Sequence, residues 1–567
     1  MHKSRLLVLA LALMMIFALA LTGCNGDNDE VTTNGDDPVV EGAVSGGMFR
    51  MHINNPAFID PYNAFESEGI HVVRALFDPL VNPNILDPIQ LEPGAALSWD
   101  INDEATVFTF NLDPDGMFAD GNPVVADDFI FAFNRIADPN AVNTMTGDED
   151  AGILHSQLSH VVGYDAFRDG DADGMEGLVA LDDHTLEITL SSPFGDFIYN
   201  LSHPSFVPVQ AAHIENGVEF DGDTVSFGVM PIGNGPFRMT EPWRDGQFIN
   251  TERNPYFAGA PAYVDGVEFR IFTEADAAFM AWQAGDLDYV DISPGHLQST
   301  KATYGTASNG GFTANPGEQV IYGPQSGTYY MVLNVEDDVT GDPEFRRAVS
   351  LAINREAINT VVWEDGYVIA TDILPPDIPG YQTGAWADAR FDREAAIEAL
   401  EASDWDGEPV GLIYNTGSVH ESIIELIAAD LLEIGVETVV EGMEWATYNI
   451  TIHDGDYQIG RRGWMSSYPS THYWLFELFD SEAGNNDTFF SNPEVDAGLA
   501  NAATIADADE RAAEYARVNQ LIQADNPVIP IAYYAFRQVT SDRMHNVTVS
   551  PLNVVDFRNL WIAADAQ

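Results

Sequence analysis

The stretch DGDADGMEG sets Asp169, Asp171 and Asp173 at alternate positions ahead of Gly174, the spacing with which an EF-hand loop begins to wrap a calcium ion. Such a loop closes with a bidentate carboxylate at its twelfth position, and here that position is Ala180. With only Glu176 left nearby, the segment reads as an acidic turn and no metal is expected. His155 and His160 are the nearest thing to a histidine pair, but on a helix a spacing of five turns the two rings apart, so a core or surface role is expected. The chain has no HExxH, no GxSxG nucleophile elbow and no glycine-rich phosphate loop ending in Lys-Ser or Lys-Thr. Among 89 Asp and Glu residues some carboxylate pair is inevitable, so a pair by itself is no sign of a hydrolase. The residues point away from an enzyme and from any cofactor.

Cys24 is the one cysteine in 567 residues. Ahead of it stand Lys3 and Arg5, then an apolar run from Leu6 to Leu21 that is short for a membrane span and laid out as a secretory signal. Thr22 and Gly23 directly before Cys24 resemble the lipobox of bacterial lipoproteins, which implies removal of residues 1–23 and a lipid on the Cys24 thiol. Residues 24–45 are rich in Gly, Asn and Asp without an apolar period, so they are expected to be an acidic flexible tether. The chain should therefore work outside the cytoplasm, held to the outer face of the cell membrane. Without a second thiol, stability must come from a large buried core.

Charge narrows the partners. With 23 Lys and Arg against 89 Asp and Glu, the formal net charge is −66, which excludes nucleic acid and anionic lipid as main partners. A surface this acidic repels itself unless salt shortens the Debye length to about 3 Å near 1 M, so a halophilic source is expected.

The elements that must position any site are of both kinds. TVFTFNL and TLEITL alternate as half-buried strands do. DPEFRRAVSLAINREAIN predicts one helix with Asp342 as N-cap and Pro343 at its first position. ESIIELIAADLLEIGVE predicts a second, closed by Gly435 in a left-handed cap, and DERAAEYARVNQLIQAD a third. The fold class is α/β, with no internal repeat.

Several stretches, in order, resemble the family 5 extracellular solute-binding proteins of ABC importers, the group of oligopeptide and dipeptide binders. They are FTFNLDPDGMFADGNPVVADDFIFAFNRI, in which Asp127 or Asp128 would cap a helix, and MPIGNGPFRMTEPWRDGQFINTERNPYF. AAFMAWQAGDLDYV, YYMVLNVEDD, FRRAVSLAINREAI, GWMSSYP and NPVIPIAYYAF follow. The resemblance covers roughly residues 46–562. It implies a two-lobed fold of the periplasmic-binding-protein type (class II), with a ligand cleft between the lobes and an additional α/β domain. The first lobe would take 46–90, 206–325 and 526–567, the inserted domain 91–205 and the second lobe 326–525. The implied function is capture of a small solute by lobe closure and delivery to a membrane permease, by a monomer.

GRRGWMSSYPSTHYW resembles the segment that lines the cleft in the family, so Arg461, Gly463, Trp464, Met465, Ser467 and Tyr468 are expected to bind ligand. Trp464 would offer a flat wall and Gly463 room for a ligand backbone. His420 and Trp445 fall at positions similar to family pocket residues, and Glu66 is a candidate acid from the first lobe. Ser467 stands where the family's peptide binders carry an Asp for the ligand's ammonium group, and Ile452 where some carry an arginine. The expectation is an oligopeptide receptor; the alternative is an oligosaccharide or other weakly charged solute, which the aromatic cluster of Trp464, Tyr468, Tyr473 and Trp474 would suit.

Overall fold

The computed structural model describes residues 43–64, 66–141, 154–416, 419–466 and 468–564. The signal segment 1–23, Cys24, the tether as far as residue 42, and Ser467 lie outside the described residues. Among the described residues no helix is long and apolar enough to cross a membrane.

Alternation makes the strands. In Val107–Leu112 the residues Phe108, Phe110 and Leu112 are buried while Asn111 is exposed, and the strand sits inside a four-stranded antiparallel sheet. The order of that sheet is Ala96–Ile101, Val107–Leu112, Thr185–Thr189, Leu178–Asp182. The helix that follows, Ala126–Ala137, is started by Asp128, whose Oδ2 accepts the Val125 N–H at 2.9 Å from the third helical position. Asp169 closes the short helix Tyr164–Arg168 and Gly170 turns the chain with φ +78°, so the calcium-like acids begin as a helix end.

Two larger sheets carry the rest. A seven-stranded sheet runs Phe237–Met239, Phe248–Arg253, Gly266–Ile271, Met48–Ile53, Tyr289–Asp291, Gln538–Thr540, Val320–Ile321. A six-stranded sheet runs Val368–Ile369, Val528–Ala535, Pro324–Leu333, Ile459–Met465, Val410–Asn415, Thr438–Met443. The chain passes from the first to the second through Tyr322 and Gly323, and returns through Phe536 and Arg537. The two crossings lie side by side, with the Phe536 N–H donating to the Gly323 carbonyl at 3.0 Å. The return comes later than the sequence reading put it: Val528–Ala535 is paired with Pro324–Leu333 in the six-stranded sheet, inside the stretch assigned to the first lobe. A buried apolar run fits a central strand of either sheet, so only the pairing decides.

The core divides the same way. One hydrophobic cluster joins the four-stranded sheet to the seven-stranded one, and separate clusters fill the two faces of the six-stranded sheet.

The helix ends follow their caps. Asp342 accepts the Glu344 N–H at 2.9 Å and Pro343 opens the helix, as the sequence predicts. That helix ends at Ala352, where one continuous helix was expected. Asp430 takes the Asn354 N–H at 2.8 Å and Asn354 caps a new helix, Arg355–Val362. The buried Arg355 guanidinium ties the corner to the carbonyls of Ser350 and Pro530. Helix His420–Glu433 closes with Gly435 at φ +94°; its N–H bonds the Leu432 carbonyl, and the Val436 N–H bonds that of Leu431.

Candidate functional site

Strand Ile459–Met465 runs parallel to Val410–Asn415 and antiparallel to Pro324–Leu333. Ligands of open α/β sheets bind outside the carboxyl ends of parallel strands, which here means the rim beyond Asn415 and Met465. Because side chains alternate, the expected site residues separate onto two faces of one strand. Arg461 lies opposite Met331 and Gly463 opposite Tyr329 on one face; Arg462 lies opposite Tyr330 and Trp464 opposite Thr328 on the other.

On the first face Arg461 is the centre. Its Nη2 donates to the Tyr534 hydroxyl at 2.8 Å and its Nη1 to Asn415 Oδ1 at 3.4 Å, while the guanidinium lies 4.6 Å from the Tyr329 ring centroid. Its Nε is buried without a hydrogen-bond partner, and none of the ion pairs among the described residues includes it. Burial works against its charge, yet the phenols of Tyr534 and Tyr329 outweigh that and hold its pKa above the ordinary value. His420 sits at the start of its helix with Nδ1 3.3 Å from the Tyr329 hydroxyl. Burial, and then the nearby Arg461 charge, push its pKa down to about 4, so the imidazole is neutral at pH 7. The structure thus brings His420 and Arg461 onto one tyrosine.

A cation held by neutral hydroxyls and an amide, with donor capacity to spare, suits an incoming carboxylate or another strong acceptor. The doubled tyrosines of GTYYM and IAYYAF were the signal for Tyr329 and Tyr534. In a strand, adjacent tyrosines must face opposite ways, so one of each pair reaches this face.

Other expected residues are placed differently. A Cβ on Gly463 would collide with the Tyr534 hydroxyl, so the missing side chain makes room for that phenol rather than for a ligand backbone. Tyr468 is buried, and its hydroxyl donates to Gln157 Oε1 at 2.8 Å in the helical turn His155–Leu158, so it joins distant parts of the chain instead of lining the rim. Glu66 caps helix Ser67–Leu76, its Oε1 accepting the Ala57 and Gly69 N–H groups at 2.9 and 3.2 Å. Ile452 is fully buried in the core behind the sheet, so that position offers no ionic handle. Trp445 and Met465 are 51% and 44% exposed, large apolar groups left open to solvent. Trp464 stacks obliquely on Tyr473, centroids 5.1 Å apart, with its indole N–H buried and unpartnered.

The profile of the bacterial extracellular solute-binding proteins, family 5 Middle, matches residues 90–486, more than half of the chain. The chain belongs to this family. Its members are solute-binding rather than catalytic proteins, and they act outside the cytoplasm. The chain is 28% identical to the periplasmic murein peptide-binding protein of Escherichia coli over 528 residues, covering 91% of this chain and 93% of that one. It is also 28% identical to the periplasmic oligopeptide-binding protein of Salmonella typhimurium over 529 residues, covering 90% and 92%. The two-lobed α/β fold is shared with solved relatives. The murein tripeptide binding protein in its unliganded open form superposes with a TM-score of 0.76 at 26% identity, over 92% of this chain and 99% of that one. The Escherichia coli murein tripeptide binding protein superposes with a TM-score of 0.69 at 26% identity, over 92% of this chain and 98% of that one.

Proposed function

We propose that the chain is the receptor of an ABC importer, that it captures oligopeptides between a first lobe built on the seven-stranded sheet and a second built on the six-stranded sheet, and that it hands them unchanged to a permease. The observation that carries this is Arg461, a guanidinium at the strand rim with hydroxyl and amide partners and no carboxylate of its own. The carboxyl end of a peptide supplies what it lacks, with a charge-assisted bond contributing about 1.5–3 kcal/mol. The paired crossings at Tyr322–Gly323 and Phe536–Arg537 give the lobes a common hinge, and ligand contacts with both lobes would shift the population toward closure. The stacked rings of Trp464 and Tyr473 favour a second reading, an oligosaccharide receptor. Native mass spectrometry of protein purified in high salt, followed by denaturation, distinguishes them. A released peptide mixture is the expected result, a released sugar would give the site to the second reading, and a cleaved product would end the receptor reading.

The receptor is tethered through a lipid on Cys24, and partitioning of the full chain, but not of a Cys24→Ser variant, into detergent tests this. Its acidic surface makes the fold depend on salt, so circular dichroism should show unfolding as ionic strength falls toward 10 mM. A fold unchanged in dilute buffer would remove the halophilic reading.

A further inference from the structure

Two adjacent residues that are not glycine hold positive φ in a turn beside the crossings. Glu364 and Asp365 stand at φ +57° and +55°, and the Gly366 N–H donates to the Trp363 carbonyl at 2.9 Å. Positive φ at both central residues is the mark of a type I′ turn, where Gly, Asn and Asp are the usual occupants and a longer side chain is strained. Neighbours hold the strain in place. The Asp365 N–H donates to the Asn359 carbonyl at 3.0 Å, the Thr360 hydroxyl donates to Asp365 Oδ1 at 2.7 Å, and the Asn359 amide exchanges bonds with the Tyr367 backbone at 2.9 and 3.1 Å. A glutamate where glycine would be less strained points to a task for its carboxylate.

That carboxylate reaches across the molecule. The turn lies between helix Arg355–Val362 and strand Val368–Ile369 of the six-stranded sheet, yet Glu364 finds its partners on the seven-stranded side. Its Oε1 accepts Arg537 Nη2 at 2.8 Å, at the second crossing, and the Gly295 N–H at 3.0 Å; its carbonyl accepts the Gln298 side-chain amide. The Arg537 and Glu364 side chains are 21% and 24% exposed, so salt screens them less than it screens an open surface pair. Gly366 runs so close to Leu297 that a Cβ there would stand 2.7 Å from its Cδ2, and Leu297 is buried with Phe279, Trp282, Val320 and Val539. Farther along the same helix, Lys301 Nζ lies 4.2 Å from the ring centroid of Tyr322, at the first crossing. Burial lowers the Lys301 pKa, and the Asp365 carboxylate pulls it the other way. One turn is thus bonded to the second crossing and lies beside the first. Its ends rest on the binding rim: Trp363 stacks on Tyr367 at 4.6 Å and meets Tyr329 edge-on at 5.6 Å, while Tyr367 meets Tyr534 at 5.9 Å, and Tyr329 and Tyr534 carry Arg461.

We propose that Trp363–Gly366 is a clasp across the hinge: Glu364, held at positive φ, pins one lobe to Arg537 and Gly295 of the other and fixes the angle between them. This rests on the proposed division into lobes and goes beyond the peptide reading, since it concerns the geometry of the receptor rather than its ligand. The test is pulsed electron resonance distance measurement in high salt on the full chain carrying Cys24→Ser, with spin labels at Met280→Cys and Leu432→Cys. Those positions are 62% and 59% exposed, on helices Ala275–Gln283 and His420–Glu433 of the two sides. With Glu364 and Arg537 intact, one narrow distance distribution is expected. Glu364→Gly relieves the strained φ, so the turn still forms, but it removes the carboxylate; Arg537→Gln removes the partner. Each should lose the narrow distribution and give a broad one or a second distance, with the circular dichroism of a folded chain. A narrow distribution kept by both folded variants would overturn the clasp. A broad distribution in the labelled parent, with the clasp intact, would overturn it without any variant. No peptide is added, so the widths decide the clasp whichever solute the receptor carries, and a failure to bind peptides would end the peptide reading alone.

Discussion

Arg511 and Arg461 are both arginines withdrawn from water in the second half of the chain, and the protein treats them in opposite ways. Arg511 is satisfied by the chain itself: its Nε meets Asp196 Oδ1 at 2.6 Å and its Nη1 the carbonyls of Ile505 and Ala506 at 2.8 and 3.0 Å. Asp196 is shared further with the Ser470 hydroxyl at 2.8 Å, so the ion pair ties the turn at Asp196 to helices Thr471–Phe479 and Ala508–Asp525. Arg461 is given phenols and an amide but no countercharge, and keeps one nitrogen idle. Desolvating a cation costs several kcal/mol, and a folding chain normally recovers that within itself. Where it stops short, the remaining capacity is available to something that arrives later. On the proposed function, a structural arginine and a binding arginine are told apart by what is left unpaired.

The largest effect that would sharpen this contrast is on stability. Arg511→Ala strands Asp196 in a buried place and should cost about 3–5 kcal/mol in urea unfolding at fixed high salt. A loss below about 1 kcal/mol would break the comparison. Arg461→Met should do the reverse, leaving the unfolding free energy within about 1 kcal/mol of wild type while weakening peptide binding ten- to a hundredfold by calorimetry.

His472 sits at the Arg511 junction, its Nδ1 3.2 Å from the Tyr515 hydroxyl and its ring 4.9 Å from that of Phe194. Burial pushes its pKa down to about 4, with Asp196 pulling up and His160 adding to the depression. A depressed base binds fewer protons when folded than when unfolded. Its contribution is therefore present above pH 6.5 and lost as pH falls toward 4. Between pH 7 and 4.5, wild type should lose about 2 kcal/mol more than His472→Gln, read from paired denaturant curves. The smallest change in affinity is expected beside Arg461: Gly463→Ala should push the Tyr534 hydroxyl off the guanidinium and cost about 1–3 kcal/mol of stability, with only a fewfold loss of peptide affinity. Unchanged affinity there would mean that Tyr534 does not set the guanidinium.

Much of this was legible in the chain because it is local. The alternation of VFTFNL, the Asp342 and Pro343 start and the Gly435 stop depend on residues within a turn of one another, so periodicity and capping chemistry fix them. The family resemblance likewise picked out the segment that carries Arg461 and Trp464, which the fold makes a strand. Misreadings arose where a distant partner decided. Asp430 breaks the helix at Asn354, Tyr534 fills the space beside Gly463, and Gln157 draws Tyr468 away from the rim.

The sequence alone thus determined the acidic character and most of the strands and helix starts, since each follows from side-chain type and near-neighbour spacing. Only the tertiary structure decided which face each side chain serves and which charges remain unpaired. Those depend on strand register and on partners brought together from far along the chain.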